Sequence, residues 1–186
     1  MKSDASDHAI SVGQALTKGA CPICGILKDF QSKSAEQYRL CADAHFCNFH
    51  AWALARSGSA EDVAAIFLKM LNGDEQGTEN THECIFCRDI AKEEAYRLRE
   101  LGGQLQRALF AQWMKSYGSL CLKHAQKLQE YVPLKHRRLV EEVVKRNRAE
   151  LRDELEAFCE QLKQGIHEGG GLLGRAAEFL VGQRGL

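Results

Sequence analysis

Four short pairings of soft donors stand out in this chain: Cys21-Pro-Ile-Cys24, Cys47-Asn-Phe-His50, Cys84-Ile-Phe-Cys87 and Cys121-Leu-Lys-His124. Thiolate and imidazole at this spacing suit chelation of a metal ion. Taken in order, each CxxC with the CxxH that follows supplies three cysteines and one histidine, a complete tetrahedral ligand set for zinc. Six of the eight cysteines are absorbed this way. Two zinc sites are therefore expected, Cys21, Cys24, Cys47 and His50 in one, Cys84, Cys87, Cys121 and His124 in the other. A crossed arrangement is the alternative, with the two CxxC turns forming an all-thiolate site and the two CxxH pairs a mixed one. Local grouping closes less chain and is favoured on that ground.

Three thiolates and an imidazole can also hold an iron-sulfur cluster of the 4Fe-4S type, although ferredoxin-like clusters draw on closer runs such as CxxCxxC, which are absent. An electron-transfer protein is the corresponding alternative function. A third is thiol-disulfide exchange, since CxxC is also the thioredoxin spacing, but that motif belongs beside a βαβ pattern and the sequence shows no convincing strand. Four protein donors leave a zinc ion no open position, which marks a structural site. No catalytic residue is assigned, and the chain is read as a non-enzyme that binds a protein partner or senses metal or redox state.

Helices must position these donors. Only Pro22 and Pro133 interrupt a chain rich in Ala, Leu, Glu, Lys, Gln and Arg, and the expected class is all-α. Leu151, Leu155, Phe158 and Leu162 trace one face of a long helix from about Leu134 to Gln164, expected to pack across both metal-bearing repeats. Leu98, Leu101, Leu105 and Leu109 form a second stripe, and Val63, Phe67, Met70 and Leu71 a third. Gly169-Gly-Gly171 makes a break, with a short amphipathic helix over Leu172 to Leu180 docking back on the body.

The spacing between the pairs dictates how the chain bends if the grouping is local. Twenty-two residues separate Cys24 from Cys47 and thirty-three separate Cys87 from Cys121. Straight helices of those lengths would hold the pairs about 30 to 50 Å apart. In the second repeat Gly102-Gly103 is the expected break of a helical hairpin, Arg88 to Leu101 out and Gln104 to Tyr117 back. In the first, the return through Ala42 to Phe46 is barely long enough, and a break near Ser32-Lys-Ser34 is expected to relieve it. The resulting architecture is two pseudo-repeated helical hairpins, each clamped by a metal site, plus the long helix. The repeat domains are 1–71 and 84–168, the linker is 72–83, and 169–186 is a glycine-linked terminal helix.

Cys41 and Cys159 fall outside the motifs and are expected as core residues, with Cys41 and His45 the candidates for spare ligands or a redox trigger. His8, His82, His136 and His167 have no partner at ligand spacing. Lys135-His-Arg-Arg138, Lys145-Arg146 and Arg148 make one basic cluster, read as a salt-bridged helix face because Glu141, Glu142, Glu150 and Asp153 surround it. Lysine plus arginine equal aspartate plus glutamate at 25 each, so no net field attracts nucleic acid or an anionic membrane. The first twenty residues lack a secretory h-region, and a reducing cytoplasmic setting is expected.

The motifs resemble those of an uncharacterised bacterial family, domain of unknown function 6062, whose members carry CPxC, a Cys-x-x-His element, a second CxxC and Leu-Cys-x-x-His. The matching residues are Cys21-Pro-Ile-Cys24, Phe46-Cys47-Asn-Phe-His50 with Trp52, Cys84-Ile-Phe-Cys87 and Leu120-Cys121-Leu-Lys-His124, with Arg175 to Gly182 similar to the closing segment. The resemblance implies a helical, metal-binding bacterial protein and supplies no activity.

Overall fold

A computed structural model of the chain describes residues 20–37, 46–57, 60–73, 84–165 and 170–182. Among the described residues there are eight helices and no strand: α1 (Pro22–Gln37), α2 (Asn48–Ser57), α3 (Ala60–Gly73), α4 (Ile85–Gln104), α5 (Ala108–Tyr117), α6 (Leu122–Leu128), α7 (Leu134–Lys163) and α8 (Gly170–Val181). The all-helical class with two cysteine-histidine clusters is as the sequence leads one to expect.

Packing sorts the chain into two compact units. The smaller is Leu27–Glu94 and the larger joins Met1–Ile26 to Ala95–Arg184. This differs from a division into consecutive repeats, because the boundaries fall inside α1 and α4. Most of the expected linker lies outside the described residues, and α3 runs through Asn72 to Gly73.

In the larger unit α7 packs against α5, α6 and α8, and α8 also packs against α6. Leu98, Leu101, Leu105, Met114, Leu120, Leu128 and Val140 are almost fully buried there, each such aliphatic side chain contributing about 1.5 to 3 kcal/mol. The long helix thus lies within the larger unit. Gly165, at φ 79°, ends it several residues before the triple glycine, where α8 already begins. Leu172, Ala176 and Phe179, one face of α8, are buried, so the terminal helix docks as expected.

Two expected breaks are absent. Helix α4 continues through Gly102-Gly103 to Gln104, and the turn falls at Leu105 to Arg107, which leaves Leu109 exposed at 84% and outside the stripe. Burial of Leu98, Leu101 and Leu105 offsets the roughly 1 kcal/mol that each glycine costs a helix. Gly102 serves close approach: a Cβ there would stand 2.7 Å from the Tyr131 carbonyl oxygen. Helix α1 likewise runs unbroken through Ser32 to Ser34.

In the smaller unit Val63 and Ile66 bury one face of α3, while Leu71 is exposed and the Met70 side chain lies outside the described residues. The stripe there is shorter than its sequence pattern.

Candidate metal centres

All four motifs are helix starts built alike. Cys21, Cys47, Cys84 and Cys121 each stand one residue before the first helical position, of α1, α2, α4 and α6 respectively. Each one's carbonyl accepts the first helical hydrogen bond, from Gly25 at 3.1 Å, Ala51 at 2.9 Å, Arg88 at 3.0 Å and Ala125 at 2.9 Å. The second donor of each motif then sits on the first turn, beside the backbone N–H groups that favour negative charge. Cys121 also accepts from the backbone N–H of His124 at 3.4 Å.

The grouping is neither the local one nor the all-thiolate crossing. Cys21 and Cys24 meet Cys121 and His124, and Cys84 and Cys87 meet Cys47 and His50, with the donor atoms of each quartet all within 4.8 Å of one another. The CxxC of one repeat thus takes the CxxH of the other. The first quartet lies wholly within the larger unit and the second within the smaller. Loop-closure entropy could not prevent this. Replacing the 22-residue loop by one of nearly a hundred costs only about 1 kcal/mol, against about 10 to 16 kcal/mol for structural zinc. Helix α5 follows α4 after a short turn, and the chain beyond it delivers Cys121 to Cys21 and Cys24 instead of returning it to Cys87.

The spacing within each quartet fits a single tetrahedral ion. With Zn–S about 2.3 Å and Zn–N about 2.0 Å, a tetrahedron has S···S edges of about 3.8 Å and S···N edges of about 3.5 Å. The Sγ atoms of Cys24 and Cys121 are 3.7 Å apart and those of Cys47 and Cys87 3.8 Å. His124 Nδ1 lies 3.4 Å from Cys21, 3.2 Å from Cys24 and 3.2 Å from Cys121. His50 Nδ1 lies 3.3 Å from Cys47 and 3.4 Å from both Cys84 and Cys87. Both groups can hold a metal ion.

Their surroundings differ. In the first quartet every member is buried, and His124 has no solvent exposure. A crevice of about 100 Å³ beside Cys21, Cys24 and Cys121 is bounded by Arg175, Glu178 and Phe179 of α8, so the terminal helix covers this centre. In the second quartet Cys84 and His50 are buried, Cys47 is half-buried and Cys87 is exposed. The His50 ring stacks on Phe86 with centroids 5.1 Å apart and meets the edge of Phe49 at 5.2 Å, which fixes its plane. Ile23 is the counterpart of Phe86 in the first CxxC and is fully buried.

Protons are shared unequally within each quartet. Hydrogen bonds from Cys21 and Cys24 hold the Cys121 thiol far below its ordinary range, while burial, aided by Cys121 and Cys24, pushes Cys21 well above it. Desolvation and the neighbouring Cys47 and Cys84 push Cys87 up to about 12. Burial also acts to raise Cys47, but hydrogen bonds from the His50 backbone N–H and from Cys87 and Cys84 outweigh it, and the net shift is downward. In both quartets the lowered thiol is thus the CxxH cysteine at its helix start. Burial lowers His50 and favours the neutral, ligating ring.

Several supporting residues escaped the sequence reading. Arg146, counted there in a basic cluster, donates its guanidinium N–H groups to the carbonyls of Lys115 and Gly118. Arg146 also donates to Asn147 Oδ1 at 3.0 Å, and Asn147 Nδ2 donates to Ser119 Oγ at 3.3 Å. Together they clasp the turn leading to Cys121. The turn is tight, since a Cβ on Gly118 would collide with Met114. Gln31 of α1 places its amide 3.4 Å from His50 Nε2. The amide nitrogen is the atom that faces the ring, and turning the amide over would present its oxygen to an Nε2–H. No residue type or spacing flags either contact in advance.

Two members of the basic cluster are ion-paired along α7, Arg138 to Glu142 at 3.4 Å and Arg146 to Glu150 at 3.6 Å. Cys159, expected in the core, is exposed on α7 and lines an apolar cleft with Leu151, Leu155 and Phe179. It stands four residues beyond Leu155 on the same stripe, at a stretch that no neighbouring helix covers among the described residues. Cys41, His45, His8, His82 and His167 lie outside the described residues, and His136 stands on the first turn of α7 in neither quartet.

No protein-family model, curated protein or solved structure matches the chain. Among the described residues no helix is long and apolar enough to cross a membrane.

Proposed function

We propose that the chain is a non-catalytic bacterial protein holding two zinc ions, one by Cys21, Cys24, Cys121 and His124, the other by Cys84, Cys87, Cys47 and His50. It serves in the cytoplasm as an interaction module or as a metal and redox sensor. The observation that carries this is the tetrahedral spacing of two quartets whose four protein donors fill the coordination shell. A filled shell gives the ion a structural role and leaves no position for substrate. The compact spacing also favours one ion over a 4Fe-4S cluster, in which each protein donor binds a different iron of a larger body. The bacterial and cytoplasmic setting rests on the resemblance of the motifs and on free thiols suited to a reducing compartment. Balanced charge and the salt-bridged α7 argue for a protein partner over nucleic acid or membrane.

Elemental analysis of anaerobically purified protein, with an ultraviolet-visible spectrum, tests the reading. Two zinc ions per chain in a colourless sample are expected. A brown sample with broad visible absorbance would instead establish the electron-transfer alternative. Reduction of a disulfide substrate, abolished by Cys21→Ser or Cys84→Ser, would establish the oxidoreductase.

A further inference from the structure

The two quartets use the same set of donor types, three thiols and one imidazole, yet they meet solvent differently. The first is buried throughout and covered by α8, whereas Cys87 of the second is exposed and Cys47 half-buried. These two are also an adjacent pair, Sγ to Sγ 3.8 Å. Their partners Cys84 and His50 are buried, at 7% and 6% exposure. A diffusing reagent therefore reaches one edge of one quartet.

We infer that the quartet of the smaller unit is a peroxide-responsive site, in which Cys87 is oxidised first and closes a disulfide with Cys47, while the quartet of the larger unit keeps its ion. The inference rests on zinc occupying both quartets. A coordinating thiol is deprotonated outright, so Cys87 meets the oxidant as a thiolate. Its sulfur attacks one oxygen of a hydroperoxide. An S–O bond forms, the O–O bond breaks, and hydroxide leaves for hydrogen peroxide, giving Cys87 sulfenic acid. The Cys47 thiolate then attacks that sulfur, forming S–S and breaking S–O, with a second hydroxide lost. Two thiolates surrender two electrons, the peroxide is reduced to two waters, and two protons come from solvent. The sulfurs close from 3.8 Å to about 2.05 Å. Only Cys84 and His50 remain as donors, and two donors do not retain zinc against solvent. The result is one unit that reports oxidant by losing its staple and a second that keeps its own.

The test treats the zinc-loaded full chain with hydrogen peroxide, follows released zinc with a chromogenic chelator, and maps thiols and disulfides by alkylation and mass spectrometry. One of the two zinc equivalents should leave, a Cys47–Cys87 bond should appear, and Cys21, Cys24 and Cys121 should remain reduced. A thiol reductant with added zinc should restore the starting state. Because Cys87→Ser could impair folding, the native chain is also pulsed briefly with iodoacetamide, and Cys87 should be the first quartet cysteine labelled. Release of both ions in parallel, retention of both in excess peroxide, a Cys84–Cys87 bond, or labelling of Cys21, Cys24 or Cys121 before Cys87 would each overturn the inference. Protein that carries no zinc at the outset would overturn the metal assignment instead.

Discussion

The Sγ atoms of Cys24 and Cys121 lie 3.7 Å apart although 97 positions separate the two residues along the chain. The contact closes the larger unit and fixes which halves of the two repeats belong together. It also makes the grouping testable without a further structure.

Cys24→Ala with Cys121→Ala removes two donors from one quartet and should leave one zinc per chain. Cys24→Ala with Cys47→Ala damages both quartets and should leave none firmly bound. Local grouping gives the opposite pattern. Zinc stoichiometry after dialysis against a moderate chelator reads the difference.

Arg146→Ala should destabilise the larger unit by about 1 to 3 kcal/mol, because it leaves the partly buried carbonyls at the end of α5 without their charged donor. The same change loosens the turn before Cys121, so chelator should extract zinc from the buried quartet faster. Urea unfolding of the loaded protein and the extraction rate measure the two effects. Arg138→Ala, on the exposed side of α7, should change stability by at most about 0.5 kcal/mol.

Neighbouring glycines in α4 should respond oppositely. Gly102→Ala places a methyl 2.7 Å from the Tyr131 carbonyl oxygen and should cost about 1 to 3 kcal/mol. Gly103→Ala meets nothing within 4 Å and should stabilise by about 0.5 to 1 kcal/mol, from helix propensity alone. Thermal unfolding of the two variants beside the parent chain checks the pair.

The pH dependence of the smaller unit follows from His50, whose folded-state pKa burial holds below the usual 6.5. Near 6.5 the unfolded chain takes up a proton that the folded ring refuses. Stability is therefore complete above 6.5 and is lost as pH falls through the folded value. Metal-free protein should show a falling urea midpoint on acidification through that window, with a smaller fall in His50→Gln. Loaded protein should release zinc in acid, since protons compete for every donor.

Metal removal should be costly for both units. A strong chelator under reducing conditions should lower the helical circular dichroism signal, and added zinc should restore it. Unchanged helicity after complete zinc loss would show that apolar packing alone holds the fold.

The donors were legible because chelation demands particular atoms at particular spacing, and helix was legible because composition and periodicity act locally. Their grouping was not. Both CxxC turns and both CxxH turns are chemically equivalent, and loop entropy separates the alternatives by too little. The same limit hid the role of Gly102, which depends on where Tyr131 arrives, and that of Arg146, whose acceptors are backbone carbonyls about thirty positions away. The exposure of Cys159, which continues the stripe four residues beyond Leu155, depends on whether another helix covers that stretch, and no local pattern says so.

Because its second half-set of donors is encoded so late, the buried centre cannot be completed early in translation. At about 5 to 20 residues per second, the ribosome needs about 5 to 20 s after making Cys24 to make Cys121. The centre built from Cys47 to Cys87 can be finished within that interval. The nascent chain therefore matures from the middle outward, with its first two thiols waiting for the last two ligands.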